Sequence, residues 1–231
     1  MVRHKDNSKN NFQDIVRKVR RTIIKSSYEA GACHIGSALS CSEILTDIYF
    51  NKLKDNDVFI FSKASGVGAL YAILAEKGII PLNKVAFYLK KYPLPSNKVP
   101  GVMFSGGSLG HGLPMAVGVA LAKKLKGEKG NVYCLISDAE VQEGTFWESM
   151  LFKKHHNLDN LKVIVDWNGL QACGKVNKIL EIPEYIVKLL GCHIVKTFKG
   201  DGVSFMINNN DWHYKNLTKP DYERAILELS D

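Results

Sequence analysis

Much that would settle the class of this chain at once is missing from it. Its 231 residues include five cysteines, Cys33, Cys41, Cys134, Cys173 and Cys192, with no CxxC pair. An odd, unpaired set argues against a disulfide framework and against a zinc site. No apolar run approaches the roughly 20 residues of a membrane span. Met1 to Asn11 forms a polar, charged arm without the apolar centre of a secretory signal, so a cytoplasmic protein is expected. Acidic residues are outnumbered, 23 against 31 Lys and Arg, for a net charge of +8. The lysines are scattered, and no RNP, KH, helix-turn-helix or zinc-finger spacing accompanies them, so we expect a solvated basic surface and no nucleic-acid partner. Hydrophobic residues at 45% and charged residues at 23% exclude disordered, collagen-like and coiled-coil chains, and the length suits one domain over 1–231.

What is present has the pattern of an α/β domain. Phe12, Ile15, Val16, Val19, Ile23 and Ile24 carry helical spacing up to Gly31. Ser40 with Glu43 reads as a capping box opening a second helix. Val58 to Phe61 reads as a buried strand, and a helix from about Ser65 to Glu76 closes at Gly78. Pro93, Pro95 and Pro100 impose an extended loop, and a helix covers Met115 to Leu125. Asn131 to Ile136 and Leu161 to Val165 are nearly continuous apolar runs of the kind found in parallel strands covered on both faces, with a helix from about Glu143 to His156 between them. The expected fold is a mostly parallel sheet with helices on both faces, whose ligands sit outside the carboxyl ends of the strands.

That edge carries three candidate sites: the glycine loop Gly106 to Gly112, the strand end Ser137-Asp138, and the segment Asp166 to Leu170. A glycine loop before a helix suits an anion, though such a turn is often purely structural. Asp138 and Asn168 each close an apolar run and are separated by one helix and one strand, which returns the chain to the same edge. A carboxylate, an amide oxygen and a nearby backbone carbonyl are hard donors suited to Mg²⁺ with a diphosphate. Alone, the pair reads as turn formers; together with the glycine loop, it reads as a site.

The strings Cys33-His34-Ile35-Gly36-Ser37-Ala38-Leu39-Ser40, Val99-Pro100-Gly101-Val102, Gly107-Ser108-Leu109-Gly110-His111-Gly112, Ser137-Asp138-Ala139-Glu140-Val141-Gln142-Glu143-Gly144 and Asp166-Trp167-Asn168-Gly169-Leu170-Gln171 resemble the transketolase family. The likeness is to its N-terminal, diphosphate-binding half, a thiamine-diphosphate-binding fold, and it resumes at Lys199 to Phe205. The resemblance implies thiamine diphosphate and Mg²⁺ as cofactors. Asp138, the side chain of Asn168 and the backbone oxygen of Leu170 would be the metal ligands. Ser65, Gly107, Ser108, Leu109, Ala139, Glu140 and Asn168 would lie against the cofactor. Glu143 matches a position between subunits. His34 and His213 would be the catalytic, substrate-facing residues. The family's chemistry also needs a carboxylate from a pyrimidine-binding domain, for which this chain has no room. A separate C-terminal, pyrimidine-domain subunit supplying that Glu is therefore implied, in a heterodimer or heterotetramer.

Departures from the family pattern are equally informative. Ala139 stands where the pattern Gly-Asp-Gly has its second glycine, which would crowd a phosphate and disfavour positive φ. No histidine occurs between His34 and His111. Ser62-Lys63-Ala64-Ser65-Gly66 replaces a histidine-bearing Ser-Lys-Gly-His-Ala string, and the loop Tyr92 to Asn97 lacks a second. Those imidazoles, by resemblance, contact a ketol donor, so we expect a simpler 2-oxo acid or an unusual sugar instead of an ordinary pentose-phosphate ketose. The stretch between Gln171 and Lys199 is contracted, as though a strand-helix pair were trimmed. A non-catalytic partner subunit is the alternative to an enzyme. A Rossmann nucleotide binder is disfavoured because the glycine loop does not follow an apolar strand.

Overall fold

A computed structural model describes residues 7–230. Helix α1 (Asn7–Ala30) is followed by α2 (Ile35–Ser40), α3 (Ser42–Asp47), β1 (Val58–Phe61), α4 (Val67–Glu76), α5 (Val85–Lys91) and α6 (Gly112–Leu125). Then come β2 (Val132–Ser137), α7 (Gly144–His155), β3 (Leu161–Trp167), the short strands β4 (Leu170–Gln171) and β5 (Gly174–Lys175), α8 (Val176–Ile179), α9 (Glu184–Leu189), β6 (Cys192–Lys196) and α10 (Lys219–Glu228). The main sheet has the order β1-β2-β3-β6 and every pairing in it is parallel, while β4 and β5 form an antiparallel hairpin.

Side chains alternate across a strand, so each central strand feeds two cores. Phe59, Phe61, Leu135 and Ile164 join the layer built by α1 to α4, where Val67 to Leu74 of α4 are all buried. Ile60, Cys134, Ile136, Val163 and Val165 face the opposite layer, packed on Leu113, Ala116 and Ala120 of α6 and Phe146 and Met150 of α7. Each large aliphatic side chain removed from water in this way contributes about 1.5–3 kcal/mol. Helices on both faces of a parallel sheet are as the apolar runs predict.

Several local expectations are corrected. The polar arm overlaps α1, which starts at Asn7, five residues before Phe12; residues 1–6 of the arm lie outside the described residues. The Ser40–Glu43 capping box does not form. The chain breaks at Cys41 into α2 and α3, Cys41 takes the N-cap position of α3, and the Ser40 hydroxyl faces Ser37 O and the Asp166 carboxylate in place of the α3 amides. The contracted segment still supplies a fourth sheet strand, β6, and β5, which pairs with β4 just before it. Gly31 and Gly78 end α1 and α4 with φ of 61° and 71°, the left-handed closure that favours glycine.

Candidate functional site

All four strands of the sheet end at one edge, and each is followed by a chemically active residue. Ser62 and Lys63 follow β1, Asp138 follows β2, Asn168 follows β3, and Thr197 and Lys199 follow β6. Register aligns Ser137 with Asp166 and Trp167 with Lys196, so these ends lie level.

Asp138 is 1% exposed. Its carboxylate accepts N–H groups from Ala139 at 2.8 Å and from Gly169 at 2.6 Å, which joins the ends of β2 and β3. Burial pushes its carboxyl up to about 6, against the pull of the Gly169 bond. Asn168 Oδ1 accepts the Leu170 N–H at 3.0 Å, and its amide nitrogen donates to Ser40 at 3.3 Å. A buried carboxylate hydrogen-bonded by two backbone amides, with the Asn168 amide oxygen and the Leu170 backbone next along the chain from Gly169, is a hard-oxygen set. A divalent cation fits that chemistry. Ala139 also fits: it belongs to a 3-10 turn (Ala139–Gln142) and is not among the positive-φ residues, so its methyl brings no backbone strain. The strain expected from its replacing glycine is absent.

Glu140 ties the glycine loop to this edge. It is 1% exposed, and its carboxylate accepts from Ser62 Oγ, from Gly110 N at 3.2 Å, from Ser137 N at 2.7 Å and from Ser137 Oγ at 3.1 Å. Burial raises its pKa in spite of these donors. Gly112 N donates to Ser62 Oγ at 3.1 Å. The N–H groups of Gly110 and Gly112 are thus used inside the protein and do not form the anion cradle a glycine loop suggests. These glycines serve close approach. A Cβ on Gly110, whose φ is 78°, would lie 2.3 Å from Thr145 Oγ1, and one on Gly112 would lie 2.5 Å from Ser62 Cβ. Gly107, Ser108 and Leu109 are exposed at the outer turn of the loop.

Sequence reasoning missed a buried ion pair beneath the site. Lys63 Nζ donates to Asp166 Oδ2 at 2.5 Å, to Ser40 Oγ at 2.8 Å and to Ser37 O at 2.9 Å, with both charged side chains at most 2% exposed. Burial alone would lower the Lys63 pKa, but the Asp166 carboxylate outweighs it and holds the ammonium above its ordinary value. Asp166 also accepts from Thr197. The pair therefore connects β1, α2, β3 and the segment after β6. An acid directly after the apolar run Leu161 to Val165 and the lysine within the altered string Ser62 to Gly66 were the available signals.

His34 and His213, 179 positions apart in sequence order, are brought together. His34 N–H donates to His213 O at 2.9 Å, and the rings meet edge to face at 4.9 Å. His34 precedes α2 with φ of 64°, a strained value for a non-glycine residue. Lys199 donates to His213 Nδ1 at 2.8 Å. Burial, then the Lys199 charge, drives the His213 pKa down to about 3, and the same causes lower that of His34. Burial followed by Lys63 lowers Lys199 to about 8. Ser65 shares a cavity of about 460 Å³ with His34, Cys33 and Tyr214, otherwise walled by residues such as Ala38, Val67, Leu89 and Leu94. Within the described residues, then, the predicted residues form a metal-type cradle at Asp138, Ala139 and Asn168 to Leu170, while His34, paired with His213, lines the cavity that also holds Ser65.

A parallel sheet covered on both faces, with a hard-oxygen cradle and paired imidazoles at its carboxyl edge, defines a cofactor-binding α/β domain. The sequence matches the family described as "Transketolase, thiamine diphosphate binding domain" over residues 12–203. It is 34% identical to an apulose-4-phosphate transketolase subunit of Actinobacillus succinogenes, across 92% of this chain and 93% of that protein. It is 29% identical to human transketolase across 94% of this chain and 42% of that enzyme. Its fold superposes on the transketolase of Campylobacter jejuni with a TM-score of 0.79 at 22% identity, over 93% of this chain and 42% of the other. The chain belongs to the transketolase family of thiamine-diphosphate-dependent transferases and carries the family's cofactor-binding domain. No helix of the described residues is long and apolar enough to cross a membrane.

Proposed function

We propose that this chain is the diphosphate-binding subunit of a split transketolase-like enzyme that moves a small ketol or acyl carbanion equivalent to an aldehyde or sugar acceptor. Residues 1–231 act as one cofactor domain. Asp138, Asn168 and the Leu170 backbone oxygen hold Mg²⁺, while Ser65, Gly107, Ser108, Leu109, Ala139 and Glu140 border the thiamine diphosphate. When bound, that cofactor supplies the electron sink for carbon–carbon bond cleavage. The chain's own residues bind it, neutralise its charge and orient the substrate. The observation that carries this reading is Asp138, buried and accepting the Ala139 and Gly169 N–H groups that join the ends of β2 and β3.

A separate pyrimidine-domain subunit completes the site and supplies the catalytic Glu, as a cytoplasmic heterodimer or heterotetramer. Support comes from the lengths: the chain spans nearly all of a relative that is itself named as one subunit of a transketolase, but 42% of the human enzyme. Leu94, Leu109 and Met115, exposed on and beside the glycine loop, give that partner an apolar surface.

The cavity shared by His34 and Ser65 has mainly small and aliphatic walls, which favours a simpler 2-oxo acid or an unusual sugar over an ordinary pentose-phosphate ketose. The test is product formation by the reconstituted complex with each donor class and an aldehyde acceptor. Turnover from xylulose 5-phosphate at about 1 s⁻¹ or faster would overturn the donor reading. A stable complex that turns over no donor and binds no cofactor would overturn the enzymatic reading and leave a non-catalytic partner subunit.

A further inference from the structure

Lys199 is fully buried, yet unlike Lys63 it meets no carboxylate within salt-bridge distance among the described residues. Both acceptors of its Nζ are neutral, Asn210 Oδ1 and His213 Nδ1, each at 2.8 Å. An ammonium only donates, so the Nδ1 facing it must present a lone pair. The ring proton of a neutral His213 then resides on Nε2, and an imidazolium would set a second cation against the first.

The arrangement is held from several sides. Gly200 N–H donates to Gly36 O at 2.9 Å, and the Lys199 stem packs so closely on α2 that a Cβ on Gly36 would lie 3.3 Å from Lys199 Cγ. The Asn210 amide is oriented by its own donation to Ala172 O at 3.1 Å, next to the β4–β5 hairpin. The His213 backbone is fixed by the bond from His34 N–H.

We propose that Lys199 is a positioning residue that locks His213 as the neutral Nε2–H tautomer, so that His213 serves the site as a hydrogen-bond donor to a carbonyl or phosphoryl oxygen and not as a general base. With Nδ1 engaged by Lys199 and Nε2 protonated, the ring has no free lone pair to accept a substrate proton. The catalytic consequence rests on the proposed function; the tautomer itself does not, and it is readable without cofactor, partner or substrate.

The experiment is nuclear magnetic resonance of the full chain labelled with ¹⁵N and ¹³C in histidine, with the His213 signals assigned by their loss in His213→Gln. The expected wild-type result is a single Nε2–H tautomer that stays neutral at about pH 6, below the ordinary histidine midpoint. In Lys199→Met, a near-isosteric change, His213 should populate both tautomers and begin to titrate closer to the ordinary histidine range. Lys199→Arg keeps a cationic donor and should restore the single tautomer. An Nδ1–H tautomer in the wild type overturns the proposal, as does a folded Lys199→Met protein with unchanged His213 signals. If the methionine variant does not fold, the wild-type spectrum decides alone.

Discussion

Replacing Glu140 with alanine tests whether the glycine loop is held to the sheet edge as described. The carboxylate accepts two backbone N–H groups, from Gly110 and Ser137, and two hydroxyls, from Ser62 and Ser137. The hydroxyls can rotate to other acceptors, but the two amides cannot. A buried donor left unpaired costs about 1–3 kcal/mol, and removing a desolvated carboxylate returns part of that, so a net loss near 3 kcal/mol is expected. For a chain of this length that is a fall of about 6–12 °C in Tm. Glu140→Gln sharpens the argument. Its one carbonyl oxygen can serve Gly110 or Ser137 but not both, and its NH₂ must then face a backbone N–H, so it should lose about half as much. Thermal and urea unfolding of the chain measure both. An alanine variant within about 0.5 kcal/mol of wild type, or a glutamine variant as stable as wild type, would refute the bracket.

Other outcomes follow from the same geometry. Lys63→Met strands the Asp166 carboxylate in a dry layer and should destabilise the chain by about 3–5 kcal/mol, read by urea unfolding; a neutral result would mean the pair contributes nothing. Gly110→Ala places a methyl against Thr145 at positive φ and should displace the loop, lowering cofactor affinity in a calorimetric titration. Ala139→Gly should leave that affinity unchanged or tighter, since the backbone there is not left-handed; a marked loss would show a turn fitted around the methyl. Asp138 has its pKa raised to about 6 from 3.8, so in the metal-free chain its proton is held more tightly folded than unfolded. Stability from this group is therefore present below about pH 4 and lost as pH rises toward 6. Mg²⁺ competes with that proton, so its affinity should rise up to tenfold per unit as pH approaches 6 and level off above it; a flat profile would contradict the burial argument.

The central strands were legible because β2 and β3 are buried over most of their length on both faces and therefore read as nearly continuous apolar runs, interrupted in β3 by the exposed Lys162. Strand β6, Cys192 to Lys196, is only partly buried at the sheet's end and includes a histidine and a lysine, so periodicity did not mark it. Ser40 shows how a local pattern misleads. Ser-x-x-Glu is a capping signature, but the hydroxyl is claimed by Asp166, 126 positions away, and no short window contains that partner. Motif resemblance singled out Asp138, Ala139, Asn168, His34 and His213, and the fold brings the first three to one strand edge and sets the two histidines ring to ring. What motifs did not reveal was how the glycines and Glu140 work, since a glycine loop looks the same whether its amides face a phosphate or a buried glutamate. The Lys199–His213 contact was equally hidden, because it depends on how the turn through Asn210 folds back onto α2.

In the proposed enzyme, Asp138 and the strand ends around it form a Mg²⁺ and thiamine diphosphate site completed by a second subunit. Calorimetric titration of thiamine diphosphate with Mg²⁺ into the chain joined to its pyrimidine-domain partner, for wild type and for Asp138→Ala, addresses it directly. Mg²⁺-dependent binding by the wild-type complex is expected, together with its loss in a soluble, folded Asp138→Ala complex. Equal binding by both, or no binding by a stable wild-type complex, would contradict it.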